Sequence, residues 1–255
     1  MPRATTSATN TTIDATKSDG DSTEFTNVRI MLFRHGQCHG GAIFRGHSDV
    51  APSALGLQQL QQALTHSYER LGAPDLIVCS DLGRCRQGLM TFYQQHWPNG
   101  AGPKVEVTEQ LREFNYGDWD GQLISDIYQH TPSAVEDFYA DPWAFTPPNA
   151  ETMAAFAARL DSLWQQVLTS VLTRAPACAH AMNAPDNRHN HSTPCVWLVT
   201  HGGVMRYLMA KALGLGQHAG IYSQLQLGYG AEVEIMACLD KGQWHLRLIW
   251  PSAVG

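Results

Sequence analysis

Three features of the sequence predict an α/β fold, a three-layer sandwich around a mixed, mainly parallel sheet. Short apolar runs alternate with long helical stretches. Several runs end in chemically capable residues, as expected where strand ends carry a site. The last three β-like runs lie close together, with Gly228, Tyr229 and Gly230 between two of them, so the sheet edge is expected to turn antiparallel.

Strands are expected over 28–33, 76–79, 105–107, 196–200, 223–227, 233–237 and 245–249. Helices are expected over 53–71, 82–96, 122–130, 133–139, 152–172 and 204–213. Met153, Phe156, Leu160, Leu163, Trp164 and Val167 mark one apolar helical face. Asp81 is placed to cap the helix that opens at 82, and Gly214 to stop the one that ends at 213. Residues 1–26 read as a disordered, Ser/Thr-rich tail, since they lack the apolar stretch of a secretory signal. One domain is expected over 27–255, with a cap region about 114–150. Residues 174–194, rich in Ala, Asn, His and Pro, read as a flexible loop.

The 255 residues carry a formal net charge of −6 and are 44% hydrophobic, enough to build a core without staples. Seventeen Lys and Arg are scattered and form no stripe, so no nucleic-acid partner is expected. No apolar run approaches the roughly 18 residues of a membrane span, so no membrane partner is expected. Six cysteines lack CxxC or zinc-like spacing and read as reduced thiols of a cytoplasmic protein. His189 and His191 have no acidic or thiol partner at site-like spacing, so no metal is expected. No GxxxxGK[ST] loop, strand-following GxGxxG or GxSxG elbow occurs, which argues against nucleotide-binding and serine-hydrolase readings. The sequence fixes no oligomeric state.

The chemistry concentrates at strand ends. Arg34, His35 and Gly36 follow the first strand; Ser80 through Arg86 follow the second and open a helix; Arg112 and Glu113 follow the third; His201, Gly202 and Gly203 follow the fourth. That set suits phosphoryl transfer. Arginine offers a rigid fork for phosphate oxygens, and a neutral histidine is a nucleophile. A second histidine, protonated by the phosphate, steadies the equatorial oxygens, and a carboxyl group protonates the leaving alkoxide. The helix near Leu82 is expected to turn free amides toward the same edge.

In these blocks the chain resembles the histidine phosphatase superfamily, also called phosphoglycerate mutase-like. They run Leu32 to Gln37, Phe44 to Asp49, Leu55-Gly56, Cys79 to Gln87, Leu111 to Gly121 and Val199 to Arg206. The resemblance implies a phosphomonoesterase working through a phosphohistidine, with a small-molecule phosphate monoester as partner and no cofactor. It implies that His35 is phosphorylated and Glu113 is the proton donor. Arg34, Arg84 and His201 complete the phosphate pocket, with Gln37, Arg45 and Gly202 as additional contacts. Two departures stand out: Gln37-Cys38 where Glu-Thr is usual, and His39-Gly40-Gly41 where an asparagine often stands.

No Lys or Arg lies between Glu113 and Ala158, so the cap looks poorly equipped for a second anion, against a mutase. Within the superfamily the sequence looks closest to the alpha-ribazole phosphatases of cobalamin biosynthesis, on Tyr116 to Gly121 and Ala140 to Thr152. A broad small-molecule phosphatase, a phosphoglycerate mutase-type phosphotransferase and a non-catalytic phosphate-binding protein are the alternatives.

Overall fold

The computed structural model describes residues 26–179 and 193–249. Six strands form one sheet: β1 (Thr26–Arg34), β2 (Leu76–Ser80), β3 (Lys104–Thr108), β4 (Cys195–Thr200), β5 (Glu232–Asp240) and β6 (Gln243–Ile249), in the order β3-β2-β4-β1-β5-β6. The β1–β4, β2–β4 and β2–β3 pairs are parallel, while β5 and β6 add an antiparallel edge. The predicted mixed, mainly parallel α/β fold is the observed one.

Alternation along β1 builds the layers. Val28, Ile30 and Leu32 pack with α5 (Met153–Ala179) and α6 (Gly202–Ala212) on one face. Met31 and Phe33 pack with α1 (Ala54–Leu71) and α2 (Gly83–His96) on the other. There Trp197 is fully buried, with ring centroids 5.1 Å from Phe33 and 5.7 Å from Phe92. Each such ring contributes about 1.5–3 kcal/mol by leaving water. The segment expected to act as a cap folds as α3 (Ile124–His130) and α4 (Pro132–Ala140), whose Val135 and Phe138 join the α5 side of the core.

Several local expectations are corrected. Residues 223–227 are not a strand: Ser223 ends the short helix α7 (Gly220–Ser223), and residues 224–227 join no ladder. The carbonyls that a ladder would use instead accept from arginines, Leu225 O from Arg206 Nε and Leu227 O from Arg34 Nη1. Asp81 does not cap α2, because Arg112 grips it with Nε and Nη2. The Asp49 carboxylate accepts from the Gly83 amide at 2.8 Å in its place. The α5 helix runs on through Ala179, so 174–179 is helical where a loop was expected. The remainder of that loop, with His189 and His191, and residues 1–25 of the expected tail lie outside the described residues. The expected helix at 53 is capped by Ser53 Oγ, which accepts from the Gly56 amide, and Gly214 follows α6 at φ +67°. Among the described residues no helix is long and apolar enough to cross a membrane.

Candidate active site

Strand register brings the two histidines together. Arg34 pairs with Thr200 at the last rung of the β1–β4 ladder, and the His35 amide donates to Thr200 O at 2.9 Å. The next residues, His35 and His201, therefore lie side by side, with ring centroids 5.1 Å apart and almost no exposure. Gly36 allows this turn to pack under α1: a Cβ there would stand 1.9 Å from Gly56 O.

The hydrogen bonds assign the tautomers. His35 Nδ1–H donates to Gly36 O at 2.7 Å, leaving Nε2 with its lone pair. Burial, then the Arg84 charge, pushes the His35 pKa well below its ordinary value, so the ring is neutral. Arg84 Nε donates to His201 Nδ1 at 3.2 Å, so His201 Nε2 carries its proton toward Ser80 Oγ, 2.9 Å away. Burial and Arg84 push the His201 pKa down as well. The pocket thus holds His201 neutral, whereas the sequence pointed to a protonated ring once phosphate is bound. Ser80 occupies its place because β2 and β4 run parallel in register through Cys79 and Val199.

Arg84, 1% exposed, also donates to Ser48 O and Gly46 O, tying the 46–48 loop to the pocket. Asp120 secures that loop from the other side, accepting from the Gly46, His47 and Ser48 amides. The α2 amide expected to face phosphate is taken by Asp49. Arg86, on the same helix, is exposed.

Glu113 is held by two backbone amides. Phe114 N–H donates to Oε1 and Gly203 N–H to Oε2, both at 2.9 Å. Gly203 permits that approach, since a Cβ would lie 2.2 Å from Oε1. Among the additional contacts, Gln37 turns to α1, where its Oε1 accepts from Ser53 Oγ. Arg45 braces the departing loop by donating to His39 O and Gly41 O. Gly202 begins α6 beside Arg34 and Arg206. Cys38, in the usual threonine's place, lies 3.6 Å from His35 Nδ1, and burial pushes its thiol pKa up.

Two residues with no role assigned from sequence enter the site. The Tyr229 ring lies 4.4 Å from Arg34 Cζ and 6.1 Å from the His35 ring. Arg206, carried by α6, lines a cavity of about 210 Å³ with Phe114, Tyr116, Tyr139 and Tyr222. The cation missing from the cap segment therefore arrives from a later helix, a placement visible only in three dimensions. Among the described residues none of Arg34, Arg45, Arg84 and Arg206 forms an ion pair. The described residues contain no cluster of three or more His, Cys, Asp or Glu fit to hold a metal ion.

Residues 30–249 match the profile of the histidine phosphatase superfamily, branch 1. The chain belongs to this superfamily. It is accordingly a phosphomonoester hydrolase of the phosphohistidine type. This histidine phosphatase is 29% identical over 190 residues to the glucosyl-3-phosphoglycerate phosphatase of Mycolicibacterium vanbaalenii, covering 73% of this chain and 75% of the relative. It is 22% identical over 211 residues to the adenosylcobalamin/alpha-ribazole phosphatase of Escherichia coli K12, covering 82% and 90%. A mycobacterial glucosyl-3-phosphoglycerate phosphatase structure with VO3 superposes at TM-score 0.70 and 26% identity, covering 89% of this chain and all of that one. The alpha-ribazole phosphatase of Shigella flexneri gives 0.60 and 22%, covering 89% and 98%.

The alpha-ribazole subgroup resemblance is overturned by the higher identity and closer superposition of the glucosyl-3-phosphoglycerate phosphatases. The stretches that suggested it serve as scaffold in this histidine phosphatase. Gly117, at φ +59°, packs where a Cβ would meet Pro148 O at 2.2 Å, and Asn149 donates to Asp118. Asn115 N–H donates to Glu151, which Arg159 grips in turn. Those residues join loops, while Tyr116 and Pro142 of the same stretches line the cavity that holds Arg206.

Proposed function

We infer that this phosphatase hydrolyses a small ester bearing more than one anionic group, of the glucosyl-3-phosphoglycerate kind. The observation that carries this reading is a convergence of arginine: Arg34, Arg45, Arg84 and Arg206 gather around His35 and Glu113 in a chain of net charge −6. One phosphoryl group does not need that much positive charge, and a second acid on the substrate accounts for it. The relatives that act on glucosyl-3-phosphoglycerate support the same reading.

In the proposed reaction Arg34 and Arg84 hold the phosphoryl oxygens while His35 Nε2 attacks phosphorus in line. The N–P bond forms as the ester P–O bond breaks, and Glu113 gives its proton to the departing oxygen. The incoming dianion favours protonation of His201 Nδ1, which changes from acceptor for Arg84 to donor for a phosphoryl oxygen. Water then attacks phosphorus and gives a proton to Glu113. Breaking the N–P bond frees phosphate and restores His35.

A phosphate-release screen over glucosyl-3-phosphoglycerate, 3-phosphoglycerate, sugar phosphates and nucleotides tests the substrate. The expected result is at least a tenfold kcat/KM preference for glucosyl-3-phosphoglycerate, about 1.4 kcal/mol in transition-state discrimination. A flat profile across the panel would instead make the enzyme a general phosphatase.

A further inference from the structure

The cavity of about 210 Å³ beside Glu113 is not used by the phosphoryl-transfer steps. Its walls are aromatic, from Phe114, Tyr116, Tyr139 and Tyr222, and Arg206 brings positive charge into them. Gly203 belongs both to this lining and to the Glu113 bond, so the cavity opens on the side where the ester oxygen departs. Arg206 is fixed by its Nε, which donates to Leu225 O at 2.8 Å. Its terminal nitrogens meet no carboxylate among the described residues.

Arg206 also converges on Arg34. A single point, where a Cβ of Gly202 would be, lies 3.5 Å from Arg206 Nη1 and 3.3 Å from Arg34 Nε. Two guanidinium groups held this close repel; Glu113 offsets this at Arg34, and a carboxylate of the substrate would offset it at Arg206. With Arg34 assigned to the phosphoryl group in the proposed reaction, Arg206 is left for another anion.

We propose that Arg206 and the surrounding aromatic pocket form a subsite for a carboxylate on the leaving group, so that the enzyme selects phosphoesters of hydroxy acids. The two terminal N–H groups of a guanidinium fixed through Nε match the two oxygens of a planar carboxylate. The inference rests on the reading that Glu113 marks the leaving-group side.

The test compares 3-phosphoglycerate with glycerol 3-phosphate, which differ only in the carboxylate, on the wild-type enzyme and on Arg206→Gln and Arg206→Lys. Wild type is expected to prefer the acid at least tenfold in kcat/KM. Arg206→Gln is expected to lose at least tenfold more on the acid than on the alcohol, with Arg206→Lys between. Wild-type indifference to the carboxylate overturns the proposal, whether or not the variants fold. Equal losses on both esters also overturn it, by assigning Arg206 to the phosphate grip. If 3-phosphoglycerate and its glucosyl derivative react equally well, the glucosyl reading fails while the carboxylate subsite stands.

Discussion

Replacing Gly203 with alanine displaces the proposed acid without changing its chemistry. The new Cβ would stand 2.2 Å from Glu113 Oε1, 3.1 Å from Cδ and 3.4 Å from Oε2. The obstacle is the end of a side chain, so the carboxylate moves rather than the helix. Restoring ordinary contact shifts it by about 1 Å, and a misplacement of that size costs about 100-fold in rate. The same shift strains the bond from Gly203 N–H to Oε2, now 2.9 Å, a hydrogen bond worth about 0.5–1.5 kcal/mol. The assay is kcat/KM on an alkyl phosphate beside p-nitrophenyl phosphate, whose leaving group needs little protonation. About 100-fold loss is expected on the alkyl ester and only a few-fold on the nitrophenyl ester, with Glu113→Gln showing the same pattern. Equal losses on the two esters, or none on either, would refute the assignment of Glu113 as acid.

Other predictions follow from the same geometry. Gly36→Ala sets a Cβ 1.9 Å from Gly56 O, a backbone clash expected to cost about 2–4 kcal/mol in urea unfolding; an unchanged midpoint contradicts it. Tyr229→Ala removes the ring 4.4 Å from Arg34 Cζ, a cation–π contact worth about 0.5–2 kcal/mol. It should weaken phosphate as a competitive inhibitor several-fold, and unaltered inhibition rejects the role. His35 and His201 have pKa values well below 6.5 in the fold, so the unfolded chain binds more protons as pH falls below about 6.5. Stability is therefore expected to drop from about pH 6.5 to 5, and the Tm slope there should flatten in His201→Asn. A slope identical to wild type denies this origin.

Much of the scaffold could be read from hydrophobic rhythm, because β1, β2 and β4 are buried central strands and α1, α2 and α5 carry long apolar faces. The convergence of the candidate site residues was legible for a related reason: strand ends are local in sequence, and register fixes them in space. What escaped was long-range. The Leu225 and Leu227 positions alternate like a strand, yet two arginines far away in the chain take their carbonyls. Asp81 looks like a cap until Arg112 claims it. Arg206 could not be connected to the cap by counting charges within the cap, since it reaches that pocket from α6. In the sequence Tyr229 simply lies between two expected strands, and only the loop that places it over Arg34 makes it part of the site.

The central claim is that a phosphoryl group passes through the imidazole of residue 35. Rapid acid-free quenching during turnover, followed by peptide mapping, measures it directly. A base-stable, acid-labile phosphoramidate on His35 is expected, lost in His35→Ala together with ester hydrolysis. Turnover without any covalent phosphoenzyme, or label on a different side chain, would contradict the account.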